Sequence, residues 1–140
     1  MTLNLPLKTQ LEELENTTIY DVLLQQKQNL AAIGQRYTDI VWAAGLFEGE
    51  GSIFTSNRNK AEKYIAINMT DKDVMQKFVS VVGYGNLLGP YKGTNKPYWQ
   101  WKCGKKSEVL RILKMFLPHF GIRRADKAIE IINFLNETTN

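Results

Sequence analysis

Residues 43–51 read Ala-Ala-Gly-Leu-Phe-Glu-Gly-Glu-Gly and combine small residues with two acids at the end of an apolar segment. The apolar spacing predicts that this segment ends a helix, so both carboxylates lie at a helix C-terminus. Carboxylates at that position face the negative end of the helix dipole and cost free energy unless a cation compensates them. Ala44, Gly45 and Gly49 also leave room for the backbone of a second helix. The stretch is therefore predicted to be both a helix-packing surface and an anionic pocket.

The sequence on either side of this stretch predicts an α+β domain. Thr38 can cap the helix that leads into it, and Asp39 is well placed in the first turn of that helix. After Gly51, the alternation of Ile65 and Ile67 with other residues is typical of a strand. Strands are predicted over residues 52–57, 64–69, 86–91 and 98–103, and helices over residues 39–47, 71–82, 107–117 (capped by Ser107) and 123–136. The resulting order is αββαββαα, with the strands in two hairpins.

The length of the chain limits the number of domains. Its 140 residues, 44% of them hydrophobic, suffice for one domain with a core and leave little for a second. Apolar residues at helical spacing among Gln and Glu also predict helices over residues 8–16 and 18–33. We therefore expect an N-terminal helical extension over residues 1–37, followed by the α+β domain over residues 38–140.

Composition excludes several classes of protein. Cys103 is the single cysteine, which excludes an internal disulfide and a four-thiolate metal site, and we interpret it as a core residue. No apolar run approaches the roughly 20 residues that cross a bilayer, and the N-terminus lacks a signal-peptide pattern. We expect a soluble intracellular protein, cytoplasmic or organellar, with no membrane partner. The net charge of +4 is compatible with a polyanionic partner, and most basic residues follow Gly51.

Residues 43–51 resemble the LAGLIDADG motif, which has small residues, a glycine, two hydrophobic positions, an acid, a small residue, an acid and a glycine. Other features extend the resemblance over residues 38–135: Val-Gly-Tyr-Gly at 82–85, Trp-Gln-Trp at 99–101 and Leu-Pro at 117–118. The family fold has the order αββαββα, which implies a four-stranded antiparallel DNA-binding sheet here. A chain with one motif works in that family as a homodimer.

The resemblance implies a site-specific endonuclease that cleaves double-stranded DNA at a pseudo-palindromic site and is encoded by an intron or another mobile element. Glu50 would bind a divalent cation, Mg²⁺, with the Gly49 carbonyl beside it, and Arg123 would support catalysis. Metals at the dimer axis would activate water and stabilise the leaving oxygen in phosphodiester hydrolysis. The motif helices of two subunits would pack along Val41, Ala44, Gly45, Glu48 and Gly49.

Strand alternation predicts which side chains face DNA, although a slip of one residue would exchange the two faces. We interpret Trp99, Trp101 and Phe54 as core residues rather than base-stacking ones, although alternation also places Phe54 toward nucleic acid. The alternative is that the DNA-facing side chains only form the solvated face of a sheet. The DNA-facing set is Ser52, Phe54, Ser56, Arg58, Tyr64, Asn68, Gln100 and Lys102, with Lys60, Lys63, Lys92, Lys96 and Lys105 near phosphates.

The sequence departs from the family pattern at functional positions. Met69 stands at the end of the second strand, where active members commonly carry Gln or Asn near the attacking water. Arg123 stands near the start of the last helix in place of a Lys, and keeps the charge without the compact ammonium. Ala43 replaces Leu, and both motif acids are Glu. These departures concern cleavage rather than DNA binding, and two alternatives stay open: a catalytically inactive DNA-binding regulator and an RNA-binding intron maturase.

Overall fold

A computed structural model describes residues 18–137, so the helix expected over residues 8–16 lies outside the described residues. The chain divides into two compact units, residues 1–37 and residues 38–140. In the described part of the first unit, the side chains from Thr18 to Tyr37 are exposed. No helix between residues 18 and 137 is long and apolar enough to cross a membrane.

The first helix, α1, spans Ile19–Glu50, 32 residues, and passes through the predicted cap Thr38 without a break. The predicted start at Thr38 is therefore wrong. Gly34 costs about 1 kcal/mol relative to Ala but keeps its backbone N–H, and no proline interrupts the helix. The helix begins after Thr18, whose hydroxyl accepts a hydrogen bond from Asp21 N at 3.1 Å and donates one to the Asp21 carboxylate at 2.7 Å.

Four strands form one antiparallel sheet, which confirms the predicted α+β class. They are β1 (Gly51–Thr55), β2 (Lys63–Met69), β3 (Asn86–Tyr91) and β4 (Tyr98–Cys103), and their spatial order is β1-β2-β4-β3. β1 ends earlier than predicted because Ser56 begins a turn, in which its hydroxyl oxygen accepts from Arg58 N at 3.2 Å and Asn59 N at 3.4 Å. Because β2 and β4 are neighbours in the sheet, the two hairpins pair through these two strands.

One helix, α2 (Lys72–Val82), lies between the hairpins, and two more follow the second hairpin: α3 (Lys106–Phe116) and α4 (Ile122–Glu137), with a 3₁₀ turn over Leu117–His119 before α4. α2 ends at Gly83 as predicted, because this residue adopts a φ of 79° that glycine tolerates without steric cost. The cap of α3 is Lys105 and not Ser107, because the Lys105 carbonyl already accepts from Glu108 N and Val109 N at 3.0 and 2.9 Å. The observed order is the predicted αββαββαα.

The core lies between one face of the sheet and the helices. Trp101 is fully buried, as predicted; its ring packs edge-on against Phe78 at 4.8 Å, and its Nε1 donates to Tyr84 O at 2.8 Å. Phe47, near the end of α1, packs against Phe116 at 5.9 Å between ring centroids. This packing anchors the C-terminal end of α1, which carries the motif acids and leads directly into β1.

Candidate metal centre and nucleic-acid interface

The two motif acids have different surroundings. The carboxylate of Glu48 is half-buried: its Oε1 accepts from Gly121 N at 2.7 Å and its Oε2 from Arg124 Nε at 3.3 Å. Glu50 is exposed, and within residues 18–137 no hydrogen bond or ion pair engages its carboxylate. Side-chain chemistry alone does not distinguish these two acids, and only the resemblance assigns the metal to Glu50. The structure leaves Glu50 as the acid that is available to a ligand.

Arg124 supplies the positive charge that the end of α1 lacks, since the last turn of that helix contains no basic residue. Its Nη2 donates to Glu48 O at 3.1 Å and to Gly51 O at 2.9 Å, and its guanidinium carbon lies 5.2 Å from the centroid of the Phe47 ring. Sequence reasoning missed this residue. The available signal was the electrostatic cost of two acids at a helix C-terminus, which required a cation from elsewhere in the chain.

Arg123, the predicted catalytic arginine, is exposed at the start of α4. It lines a cavity of about 510 Å³ together with Glu48, Arg124 and Lys127. Glu50 does not line this cavity. The structure therefore places Arg123 on the Arg124 side of the motif, and its role in catalysis stays a prediction.

Glu50 lines a different cavity, of about 280 Å³, with Asn68, Met69, Thr70 and Tyr98. Met69 packs partly against the hydrophobic core, whereas Asn68 is exposed. This arrangement follows from strand alternation, which turns neighbouring side chains to opposite faces. The polar groups beside Glu50 are therefore the Asn68 amide, the Thr70 hydroxyl and the Tyr98 phenol.

The Glu50 carboxylate and the Gly49 carbonyl suit a hard divalent cation, but one chain supplies only some of the ligands that such a cation needs. Among the described residues, no three His, Cys, Asp or Glu side chains cluster to form a complete site. Mg²⁺ commonly keeps several waters and takes one or two carboxylates together with substrate phosphates. One exposed carboxylate at Glu50, with the backbone carbonyl of Gly49 beside it in sequence, therefore fits half of such a site.

The open face of the sheet carries a cluster of basic and aromatic side chains. Pairing of Ile53 with Ile65 fixes the core-facing register, which turns Phe54 and Tyr64 to the opposite face. Their rings stack at 5.5 Å, and Lys102 Nζ lies 4.4 Å from the Tyr64 centroid. Phe54 is 38% exposed, so its interpretation as a core residue is wrong. By the same register, Ser52, Asn68, Gln100 and Lys102 lie on the open face.

The hydroxyl of Tyr64 donates to the Glu62 carboxylate at 2.8 Å, and this hydrogen bond is the main cause that raises the pKa of Tyr64 above its ordinary value. The phenol therefore keeps its proton, and its donor role, to higher pH than an ordinary tyrosine does.

The remaining predicted DNA contacts lie in loops, with one exception. Lys63 is the exception: its Nζ donates to Thr55 Oγ1 at 2.9 Å and lies 4.3 Å from the centroid of the Phe134 ring of α4, on the helix side of the sheet. Ser56 is half-buried in the turn that it caps. Exposed positions in the two hairpin loops and before α3 hold Arg58, Lys60, Lys92, Lys96 and Lys105.

One face of α1 carries exposed small residues. Val41, Gly45 and Gly49 follow each other at four-residue spacing and are exposed, and a Cβ added to either glycine would meet no heavy atom within 4 Å. These glycines are not required for packing inside the chain. Ala44, predicted at the same interface, is instead fully buried in the core, because it lies on the helix side occupied by Phe47.

Comparisons with known proteins agree with this architecture. No protein-family model and no curated protein sequence matches the chain. The chain is similar to the homing endonuclease I-CvuI in complex with its target, with a TM-score of 0.60 and 14% identity over 76% of this chain and 71% of that chain. It is also similar to the homing endonuclease I-TnaI, with a TM-score of 0.54 and 15% identity over 68% of this chain and 69% of that chain.

A third similar structure is the intron-encoded homing endonuclease I-CeuI complexed with DNA, with a TM-score of 0.54 and 14% identity over 95% of this chain and 76% of that chain. Structures of I-CvuI were determined in the presence of Ca and of Mg. At these identities the likeness shows the fold, and it confirms at that level the resemblance carried by residues 43–51.

Proposed function

We propose that this chain, which has the LAGLIDADG homing-endonuclease fold, is a site-specific endonuclease for double-stranded DNA that acts as a homodimer through divalent cations. The observation that carries the proposal is the exposed carboxylate of Glu50, which has no partner among residues 18–137 and stands at the end of α1 where β1 begins. An unpaired acid beside a helix C-terminus is unfavourable unless a cation offsets it. Arg124 is bonded to Glu48 and Gly51, so a bound metal is the natural partner for Glu50.

The second subunit would complete the site. The exposed face of Val41, Gly45 and Gly49 admits the backbone of another helix, and a two-fold axis through this face would bring two copies of Glu50 together. Such a dimer presents two identical DNA-binding sheets in opposite directions. Its target would therefore be pseudo-palindromic.

The open face of the sheet would enter the major groove, which admits a two-stranded ribbon. Lys102, Phe54 and Tyr64 form its basic and aromatic centre, and Ser52, Asn68 and Gln100 add hydrogen-bonding groups on the same face. The exposed lysines of the hairpin loops, Lys60, Lys92 and Lys96, would contact phosphates and set the position of the protein on the duplex.

In the reaction, Glu50 and the Gly49 carbonyl would hold Mg²⁺, which supplies an activated water and charge stabilisation at phosphorus. Asn68 and Tyr98, which line the cavity of Glu50, can donate hydrogen bonds to water or to phosphate oxygens. The Met69 thioether lacks a donor and cannot do so. Arg123 would add positive charge near the bound DNA, without the compact ammonium of a lysine.

A cleavage selection on a randomised double-stranded DNA library with Mg²⁺ tests this function, with Glu50→Gln as the matched variant. We expect the unmodified chain to cut a pseudo-palindromic subset, and Glu50→Gln to bind the same subset without cutting. Binding without cutting by the unmodified chain would support a DNA-binding regulator in place of the nuclease. Preference for structured intron RNA over duplex DNA would support a maturase. If the unmodified chain neither cuts nor binds duplex DNA, the proposed function is refuted.

A further inference from the structure

We propose that Arg124 is a positioning residue for the metal centre: its guanidinium fixes the backbone on both sides of Glu50 and thereby the direction of the Glu50 carboxylate. This inference rests on the proposed function of Glu50. In this proposal the first motif acid, Glu48, anchors Arg124, so Glu50 is the one motif acid of each chain that binds metal.

The hydrogen bonds of Arg124 span the place where helix changes to strand. α1 ends at Glu50 and β1 begins at Gly51, so the backbone changes direction with no intervening loop. One nitrogen, Nη2, donates to Glu48 O at 3.1 Å and to Gly51 O at 2.9 Å. The carbonyls that Arg124 holds therefore flank Gly49 and Glu50, and they restrain the backbone that carries the Gly49 carbonyl and the Glu50 carboxylate.

The guanidinium itself is held firmly. Glu48 Oε2 accepts from Nε at 3.3 Å, and Glu48 Oε1 accepts from Gly121 N at 2.7 Å, which ties the carboxylate to the residue before α4. The Phe47 ring lies beneath the guanidinium and packs against Phe116 and Phe120 in turn. The Arg124 side chain is only 19% exposed. Its charge-assisted bonds are therefore stronger than those of a fully solvated pair.

Glu50 depends on this restraint because its side chain has none of its own within the described part of the chain. Loss of the guanidinium would free the backbone around Glu50 and remove the cation that offsets the helix dipole. Residues that orient metal ligands typically change metal affinity by roughly 10–100-fold when they are replaced. A lysine would keep the charge but cannot reproduce the planar fork that reaches two carbonyls and a carboxylate.

The test measures metal binding without reference to cleavage. Tb³⁺, a hard oxygen-seeking ion, is titrated into the full chain and followed by luminescence, for the unmodified protein and for Arg124→Gln, Arg124→Lys, Glu50→Gln and Arg111→Gln. Arg111 is the matched control, because it lies on α3 and donates to the Tyr84 hydroxyl, away from residues 48–51. Circular dichroism at the titration temperature confirms that each variant is folded.

We expect Arg124→Gln to weaken Tb³⁺ binding roughly 10–100-fold, Arg124→Lys to recover part of the loss, and Arg111→Gln to have no effect. Amide exchange in a peptide that covers residues 48–52 should be faster in Arg124→Gln, while binding to duplex DNA in EDTA stays unchanged. A purely structural role would lower the unfolding temperature and leave the metal affinity of the folded variant unchanged.

The outcomes separate the two proposals. If Glu50→Gln weakens Tb³⁺ binding and folded Arg124→Gln does not, the role of Arg124 is refuted and the proposed metal site stands. If Glu50→Gln leaves Tb³⁺ binding unchanged, the proposed metal site fails and the role of Arg124 fails with it. Should Arg124→Gln not fold, Arg124→Lys decides: full metal affinity in that variant would refute the requirement for the guanidinium fork.

Discussion

Replacing Gly45 by Leu places a large side chain on the exposed face of α1, where an added Cβ meets no heavy atom of the chain within 4 Å. The isolated subunit should become more stable by roughly 0.5–1 kcal/mol, because glycine is a poor residue for a helix interior. In the proposed dimer the same side chain meets the partner helix. Overpacking costs about 1–3 kcal/mol per site, and a two-fold interface contains the site twice, which gives about 2–6 kcal/mol. The dimer Kd should therefore rise roughly 30-fold to 10⁴-fold.

Sedimentation equilibrium over a range of concentrations measures the dimer Kd, and urea unfolding at low and high protein concentration measures stability. The unmodified chain should unfold at a concentration-dependent midpoint, and Gly45→Leu at a midpoint that does not change with concentration. Gln76→Leu, an exposed position on α2, is the control for an added surface leucine. An unchanged dimer Kd in Gly45→Leu would show that this face of α1 is not part of the interface. A strictly monomeric unmodified chain would refute the homodimer itself.

Three further predictions concern other parts of the molecule. Gly51→Ala should destabilise the fold by roughly 1–3 kcal/mol in urea unfolding, because its Cβ would lie 2.5 Å from the ring of the buried Phe47. Gly34→Ala is the control, because it lies outside the proposed interface and its added Cβ would meet no heavy atom within 4 Å; equal midpoints for the two variants would contradict this packing. Burial raises the pKa of Cys103 from 9.0 to about 11, so the stability that its buried neutral thiol contributes is full below pH 9 and is lost as pH rises through 11. At pH 8 a thiol reagent should therefore react with Cys103 only when the chain unfolds. Rapid labelling of the native chain would disprove this. Lys96→Gln, in an exposed hairpin loop, should weaken binding to duplex DNA and lower the slope of log K against log salt by about 1, whereas an unchanged slope would place Lys96 outside the phosphate contacts.

The order of elements and the composition of the open face were predictable from the sequence. Alternation at Ile65 and Ile67 defines β2 because strand residues point to opposite faces, and this periodicity is local. Gly83 ended α2 as expected, since few other residues adopt its positive φ. Competing local signals produced the errors. Thr38 is a good cap residue, but the helix passes through it because residues on both sides also favour helix. Phe54 is apolar, but its register opposite Tyr64 places it on the open face, where it is 38% exposed.

The sequence by itself determined that residues 43–51 would join small residues and acids at the end of a helix, and that this end would need a cation. Side-chain chemistry alone did not distinguish Glu48 from Glu50, or Arg123 from Arg124; only the resemblance to the family assigned the metal to Glu50 and catalysis to Arg123. Tertiary structure gave the two members of each pair different surroundings. Arg124 and Glu48 are 76 residues apart in sequence, and only the packing of α4 against the end of α1 brings them within 3.3 Å. Neighbouring helix residues point about 100° apart, so that packing selects Arg124, leaves Arg123 exposed, and leaves Glu50 as the motif carboxylate without a partner among residues 18–137.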